Sequence, residues 1–259
     1  MDINYRKKLT DLIRTDLITM SGGKNNMKMI AIMSVLFFGA MELLFSPIFA
    51  VYIPCIMGGF FVPMLFHNEI KYHSDKMFCL MPIARRDLVR SRFILSAGLY
   101  VISGIVFYLI MLISMKLKIY RSFFDEEIDI IARVIKNTGG IGFINMLYSA
   151  AFSYGLICMA GTLRKYFRNS EVFSLALRKA NKQDIKAALF VFGIIIFWFL
   201  IMSGYLPLGP AVAVFIQLFR QLAESADGIL FSAVVIMIAV MTAVYKYICT
   251  ILEYDEKDL

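Results

Sequence analysis

The chain is short of charge and of residues equipped for chemistry, and each shortage removes a class of function. Asp, Glu, Lys and Arg make up 18% of the 259 residues and fall in blocks; soluble domains carry about a quarter, spread evenly. The four cysteines, Cys55, Cys79, Cys158 and Cys249, form no CxxC pair and no metal-ligand spacing. They exclude a disulfide framework and read as buried free thiols. The two histidines, His67 and His73, lack carboxylate or cysteine partners at ligand spacing and read as interface residues. No serine elbow, HExxH or carboxylate pair falls within an apolar stretch. Ser21–Met27, SGGKNNM, resembles the end of a phosphate loop at Gly23-Lys24. However, Ile18 stands where the first glycine belongs, and Asn25 replaces the Ser or Thr that would hold magnesium. No catalytic residue, metal site or resident cofactor is expected. A cleavable secretory signal is not expected either, because about two dozen mostly polar residues precede a first apolar run too long for one.

Apolar surface is abundant. Hydrophobic residues reach 60% and aromatics 14%, more than one soluble core can bury, which predicts an all-α integral membrane protein forming a single transmembrane domain over residues 1–259. The net charge of +8 sits beside apolar spans, where it sets topology, so nucleic acid is not an expected partner. Six segments are long enough to cross: Met27–Phe45, Pro47–Phe66, Phe93–Met115, Ile141–Leu163, Ala187–Leu206 and Ile229–Ile251. The first two are nearly fused. One helix over Met27–Phe66 would be about 60 Å long, twice the hydrocarbon thickness, so a turn is expected at Ser46-Pro47.

Lys and Arg divide twenty-one to six between the two sides, with Lys28 counted in the N-terminal segment and Lys246 at the C-terminal end. That division predicts six transmembrane helices with both termini cytoplasmic. The loop Lys116–Gly140, with five bases and the acids Asp125, Glu126, Glu127 and Asp129, falls outside. Residues 164–186 form the second cytoplasmic loop.

Three pieces do not cross. In the first, residues 1–26, Tyr5, Leu9, Leu12, Ile13, Leu17 and Met20 form one helical stripe, opposite Arg6, Lys7, Lys8 and Arg14. This predicts an interfacial helix on the inner leaflet, among membrane lipids; a surface helix docked on a partner is the alternative. In the second, residues 207–228, Pro207, Gly209 and Pro210 interrupt an apolar run too short to cross, which predicts a short re-entrant or interfacial segment on the outer face. The third is the cytoplasmic loop 67–92. Glu42 is the only acid inside a predicted span. It either snorkels to the outer interface or contacts cationic substrate groups at the outer mouth. Span four is rich in small residues, including Ser149, Ala150, Ala151, Ser153, Gly155, Ala160 and Gly161, which suits close helix packing within the chain or at a dimer seam.

Cys79–Phe93, CLMPIARRDLVRSRF, packs one proline and four arginines between the two greasiest regions of the N-terminal half. Pro82 suits the first turn of a helix, where its missing N–H costs nothing, and no breaker follows before span three. Asp87 can pair with Arg90 three residues on. By itself the stretch is either a charge anchor or a docking element. Asn68–Phe93 resembles the loop between the second and third spans of ABC-2 type transporter permeases, which show an acid after span two, a Leu-Pro pair, and a basic run into span three. Glu69, Met81-Pro82, Arg86, Val89, Ser91, Arg92 and Phe93 occupy those places, with Met81 replacing the usual Leu. Leu12–Met20 is similar to that family's N-terminal interfacial helix, with its central Asp at Asp16.

The resemblance implies a permease subunit whose cytoplasmic coupling helix seats in a separate ATP-binding subunit. Two copies of that subunit, holding ATP and Mg, would pair with two permease chains as a homodimer or a similar heterodimer. Glu69, Leu80, Met81, Pro82, Arg85, Arg86, Asp87 and Arg90 become the ATPase-coupling residues. Leu9, Leu12, Ile13, Asp16 and Leu17 become the interfacial-helix residues. The function implied is export of an amphipathic or hydrophobic substrate, such as a peptide toxin or antimicrobial peptide, across a bacterial cell membrane. The rivals are an ATP-independent secondary carrier, which would want inverted repeats and midplane ionisable residues, and a lipid enzyme, which would want clustered His or acidic residues.

Overall fold

The structure, a computed structural model, describes residues 10–16, 36–37, 39–40, 51, 53–59, 66, 84–117, 140–168, 221 and 226–255. Three long helices dominate: α1 (Arg85–Leu117), α2 (Gly140–Arg168) and α3 (Ala226–Asp255). No strand occurs among the described residues. All three are long and apolar enough to cross a membrane, which makes the chain an all-α, multi-pass membrane protein. In hydrocarbon only a helix satisfies every backbone group within one segment, so β-branched residues that would weaken a helix in water are tolerated here.

α1 contains no proline, and at 33 residues it is about 50 Å long, well beyond the roughly 30 Å of hydrocarbon. Part of the helix therefore extends beyond the hydrocarbon, and its polar first turns, Arg85–Arg92, suit the headgroup region. The helix opens where the Asp87 and Leu88 amides donate to the Ala84 carbonyl, at 2.9 and 3.3 Å. Asp87 in the first turn and Lys116 in the last both complement the helix dipole.

Cross-helix contacts fix the directions. Arg92 on α1 meets Tyr166 on α2, Tyr100 meets Phe152, and Tyr108 meets Asn145, so α1 and α2 are antiparallel. Lys246 on α3 meets Ile157, and Glu253 meets Arg164, so α2 and α3 run parallel. The end holding the α1 arginines is called the inner end below. α2 is central: 56% of its apolar stretch is buried, against 11% for α3. Residues 51, 53–59 and 66 step along α2 in the same sense. Val51 packs with Ile144, Cys55 Sγ bonds to the Ala151 carbonyl at 3.6 Å, and Phe66 stacks on Tyr166 at 5.5 Å.

Lipid supplies no hydrophobic drive between helices, so shape and hydrogen bonds hold them together. Glycine at 155 is required because a Cβ there would run into the Pro54 carbonyl and the Tyr100 hydroxyl. Likewise, a Cβ on Gly58 would strike the backbone of Gly155. The Tyr100 hydroxyl lies 3.1 Å from the Pro54 carbonyl and 2.9 Å from that of Phe152, and donates to this pair of acceptors. Gly161 leaves room for the Lys246 ammonium, 3.0 Å from where a Cβ would stand. These small residues of span four pack within the chain. The larger hydrophobic cluster lies at the inner half, around Val89, Tyr100, Met159, Leu163 and Tyr166; a smaller one at the outer half joins Val51, Met111, Ile144, Tyr148 and Ala151.

Candidate functional site

The basic run at the start of α1 does not face one way. A helix turns 100° per residue, so Arg85 and Arg92, seven apart, share a face while Arg86 departs from it. Arg85 is half-buried and donates from Nη1 to the Tyr254 carbonyl on α3 at 3.3 Å. Arg90, also half-buried, donates from Nε to the Tyr247 hydroxyl on α3 at 3.0 Å. Arg86 is exposed, and Asp87 is buried beneath the first turn. Two of the sequence-selected coupling residues, Arg85 and Arg90, therefore tie α1 to α3.

Arg92 goes deepest, at 1% exposure. Its guanidinium lies 4.9 Å from the Phe66 ring centroid, 5.5 Å from Tyr166 and 5.9 Å from Phe167. It donates from Nη1 to the Tyr166 hydroxyl at 2.7 Å. Arginine suits such a site because its charge is delocalised over a plane that stacks on rings and is weakly hydrated for a cation. Further aromatic contacts extend the box, with Phe167 edge-on to Tyr254 at 5.2 Å and Phe93 edge-on to Tyr247 at 5.2 Å. Beside it, Arg164 on α2 grips both carboxylate oxygens of Glu253 on α3, one through Nε at 3.3 Å and the other through Nη2. One turn or two further into the bundle, the Lys246 ammonium donates to the Ile157 carbonyl at 2.9 Å. The inner ends of all three helices are thus joined by cation–aromatic and cation–carbonyl contacts.

The sequence reading treated Arg92 only as a topological charge and a match to the family pattern. Its role depends on three rings from two distant segments, and no local spacing signals that. A weak hint was available in Tyr166-Phe167, two aromatics directly after the basic Arg164-Lys165.

In the short helical stretch 10–16, Leu12 and Ile13 are half-buried and Asp16 is buried, while Thr10, Asp11, Arg14 and Thr15 are exposed. One face is therefore covered and the other open. Leu9 and Leu17 lie outside the described residues. So do Glu42, Glu69, Leu80, Met81 and Pro82, together with Cys79, both histidines, the Ser46-Pro47 turn and the broken segment after span five. Cys55, Cys158 and Cys249 are free thiols. Among the described residues, no three His, Cys, Asp or Glu side chains converge to hold a metal.

What the inner end can do is mechanical. A displacement applied to the first turns of α1 would reach α2 through Arg92 and α3 through Arg85 and Arg90, the contacts that cross helices there. Compared with protein-family models, with curated proteins and with solved structures, the chain matches none.

Proposed function

We propose that this chain is the membrane-spanning permease subunit of an ABC transporter, driven by a separate ATP-binding subunit and exporting an amphipathic or hydrophobic substrate. The observation that supports this most is that α1 begins in the basic run Arg85–Arg92 and continues without a break to Leu117, while its base is tied to the other two helices. A partner pressing on residues 80–92 would move a braced unit instead of one helix. Exposed Arg86 is the coupling residue best positioned to meet that partner, since its planar fork suits a carboxylate. The permease would work as a homodimer or beside a similar chain, in a bacterial cell membrane.

The six-span layout belongs to the same proposal. Parallel α2 and α3 are what one intervening crossing would require, and the sequence offers one at Ala187–Leu206, outside the described residues. A cysteine introduced at Ser122 should react with an impermeant thiol reagent in intact cells, and one at Ser170 should not. Labelling at Ser170 without Ser122 overturns this layout.

The functional test is co-purification of an ATPase subunit with the chain, followed by ATP hydrolysis in reconstituted vesicles. Arg86→Lys should leave insertion intact and lower the stimulated rate. An isolated chain that binds no ATPase, or full stimulated activity in Arg86→Lys, overturns the coupling role and leaves the run its contacts within the chain alone.

A further inference from the structure

The outer half of the bundle holds a cavity of about 380 Å³ between α1, α2 and α3, within the size range of small-ligand sites. Its floor includes Gly104, Tyr148 and Phe152, and its rim Ile105, Ile229 and Ile236. All three rim residues are exposed, Ile229 at 78%. They lie on helices long and apolar enough to cross a membrane, so among the described residues the mouth is rimmed by apolar side chains.

The hydrogen-bond inventory of the lining is nearly closed. Tyr148 donates its hydroxyl to the Gly104 carbonyl at 2.5 Å, Ser149 to Met146 at 2.9 Å, and Ser232 to Gly228 at 3.0 Å. Tyr108 donates to Asn145 Oδ1 at 3.3 Å, which orients the amide and leaves its Nδ2 protons on offer. Among the described lining residues, Asn145 is therefore the side chain with donors to give, and none of them carries a charge. Asn145 lies in the first two turns of α2, near the outer headgroups, whereas Phe152 and Ile236 lie deeper.

We propose that this cavity binds one single-chain, uncharged amphiphile from the outer leaflet. Its apolar chain runs along Phe152 and Ile236, and a carbonyl or hydroxyl oxygen accepts from the Asn145 amide. A void of this size left empty forfeits the dispersion contacts of its walls, and the bilayer at its mouth supplies chains to fill it. A phosphate, carboxylate or ammonium would be desolvated among the described lining residues, which offer it no counter-ion, and this favours an uncharged head. The volume lies at the small end for ligand sites, which selects one chain over two. The assignment of the ligand class does not depend on an ATPase partner; its placement in the outer leaflet rests on the six-span layout, which the Ser122 and Ser170 labelling tests separately.

The test uses the full chain in lipid nanodiscs with a monoacylglycerol bearing a photoreactive diazirine near its chain end, the adducts being mapped by peptide mass spectrometry. Saturable labelling is expected at Phe152 and Ile236, competed by unlabelled monoacylglycerol and weak for a fatty-acid carboxylate of the same chain length. Ser232→Phe, which fills the cavity, should reduce that labelling to the level at Met237, an exposed residue at similar depth. Asn145→Leu, which keeps the volume but removes the donors, should weaken competition about two- to tenfold, the worth of one hydrogen bond; it decides the matter should Ser232→Phe not fold. Labelling at Phe152 and Ile236 no stronger than at Met237 overturns the proposal, as does equal competition by the carboxylate or an Asn145→Leu protein that competes like the parent.

Discussion

The two ends of the helix bundle are built on opposite plans. At the inner end, cations join the helices: buried Arg92 lies among three rings, half-buried Arg90 and Arg85 reach across to α3, and partly exposed Arg164 holds Glu253. At the outer end, the described lining of the cavity is uncharged, the wall hydroxyls bond to carbonyls or to Asn145, and space remains. The inner end spends long, polar side chains to fasten helices that lipid would not press together. Among the described residues, the outer end relies on apolar packing and neutral hydrogen bonds and tolerates a void. The difference teaches where such a bundle can change shape: movement is easier where helices touch through few side chains than where three are joined by charged ones.

The largest test of this contrast is Arg92→Ala. It removes a desolvated cation–π contact worth about 2 kcal/mol or more and opens a space where a large side chain sat. A loss of about 3 kcal/mol or more is expected in the unfolding free energy in detergent, followed by denaturant titration. Arg92→Lys should recover only part, since an ammonium keeps the charge but not the stacked plane. A neutral result for Arg92→Ala would remove the inner end's claim to be the fastened one.

Next in size is Gly155→Leu, at the level where the two halves meet. Its side chain has no room between the Pro54 carbonyl and the Tyr100 hydroxyl. Overpacking of this kind costs about 1–3 kcal/mol, and the same titration should show it. Gly98, with nothing near its Cβ position, is the control and should accept alanine without loss.

The smallest effect sharpens the outer end. Tyr148→Phe deletes the hydroxyl that ties α2 to the Gly104 carbonyl. Interhelical hydrogen bonds in membranes average about 0.6 kcal/mol and reach about 1.7, so a drop in that range is expected, below the effect of Arg92→Ala. A loss equal to that of Arg92→Ala would make the two ends equivalent and dissolve the comparison.

Much of the fold could be read in advance because hydropathy and length are properties of contiguous residues. The predicted spans Phe93–Met115, Ile141–Leu163 and Ile229–Ile251 fall within α1, α2 and α3. Each helix extends beyond its span because backbone hydrogen bonds continue after the apolar residues end. Thus Arg85–Arg92 and Arg164–Arg168 are helical although too polar for hydrocarbon. The candidate site was legible only in part. The basic stretch at the start of α1 was singled out, but the division of labour within it was not: Arg86 outward, Arg85 and Arg90 to α3, Arg92 to the rings. Periodicity separates faces of one helix; it cannot say which face meets a partner and which meets another part of the same chain.

By itself the sequence determined that the chain is helical and built to cross a membrane, because hydrocarbon leaves the backbone no other open-ended solution and length and hydropathy are written locally. Only the tertiary structure decided that Arg92 is the buried keystone of the inner end, that Gly155 must be glycine, and that a cavity whose described lining is uncharged and offers the Asn145 amide lies opposite. Each of these depends on groups far apart in the chain, Arg92 with Tyr166, Pro54 with Gly155, Tyr108 with Asn145, and their meeting is set by how helices pack, which no local pattern encodes.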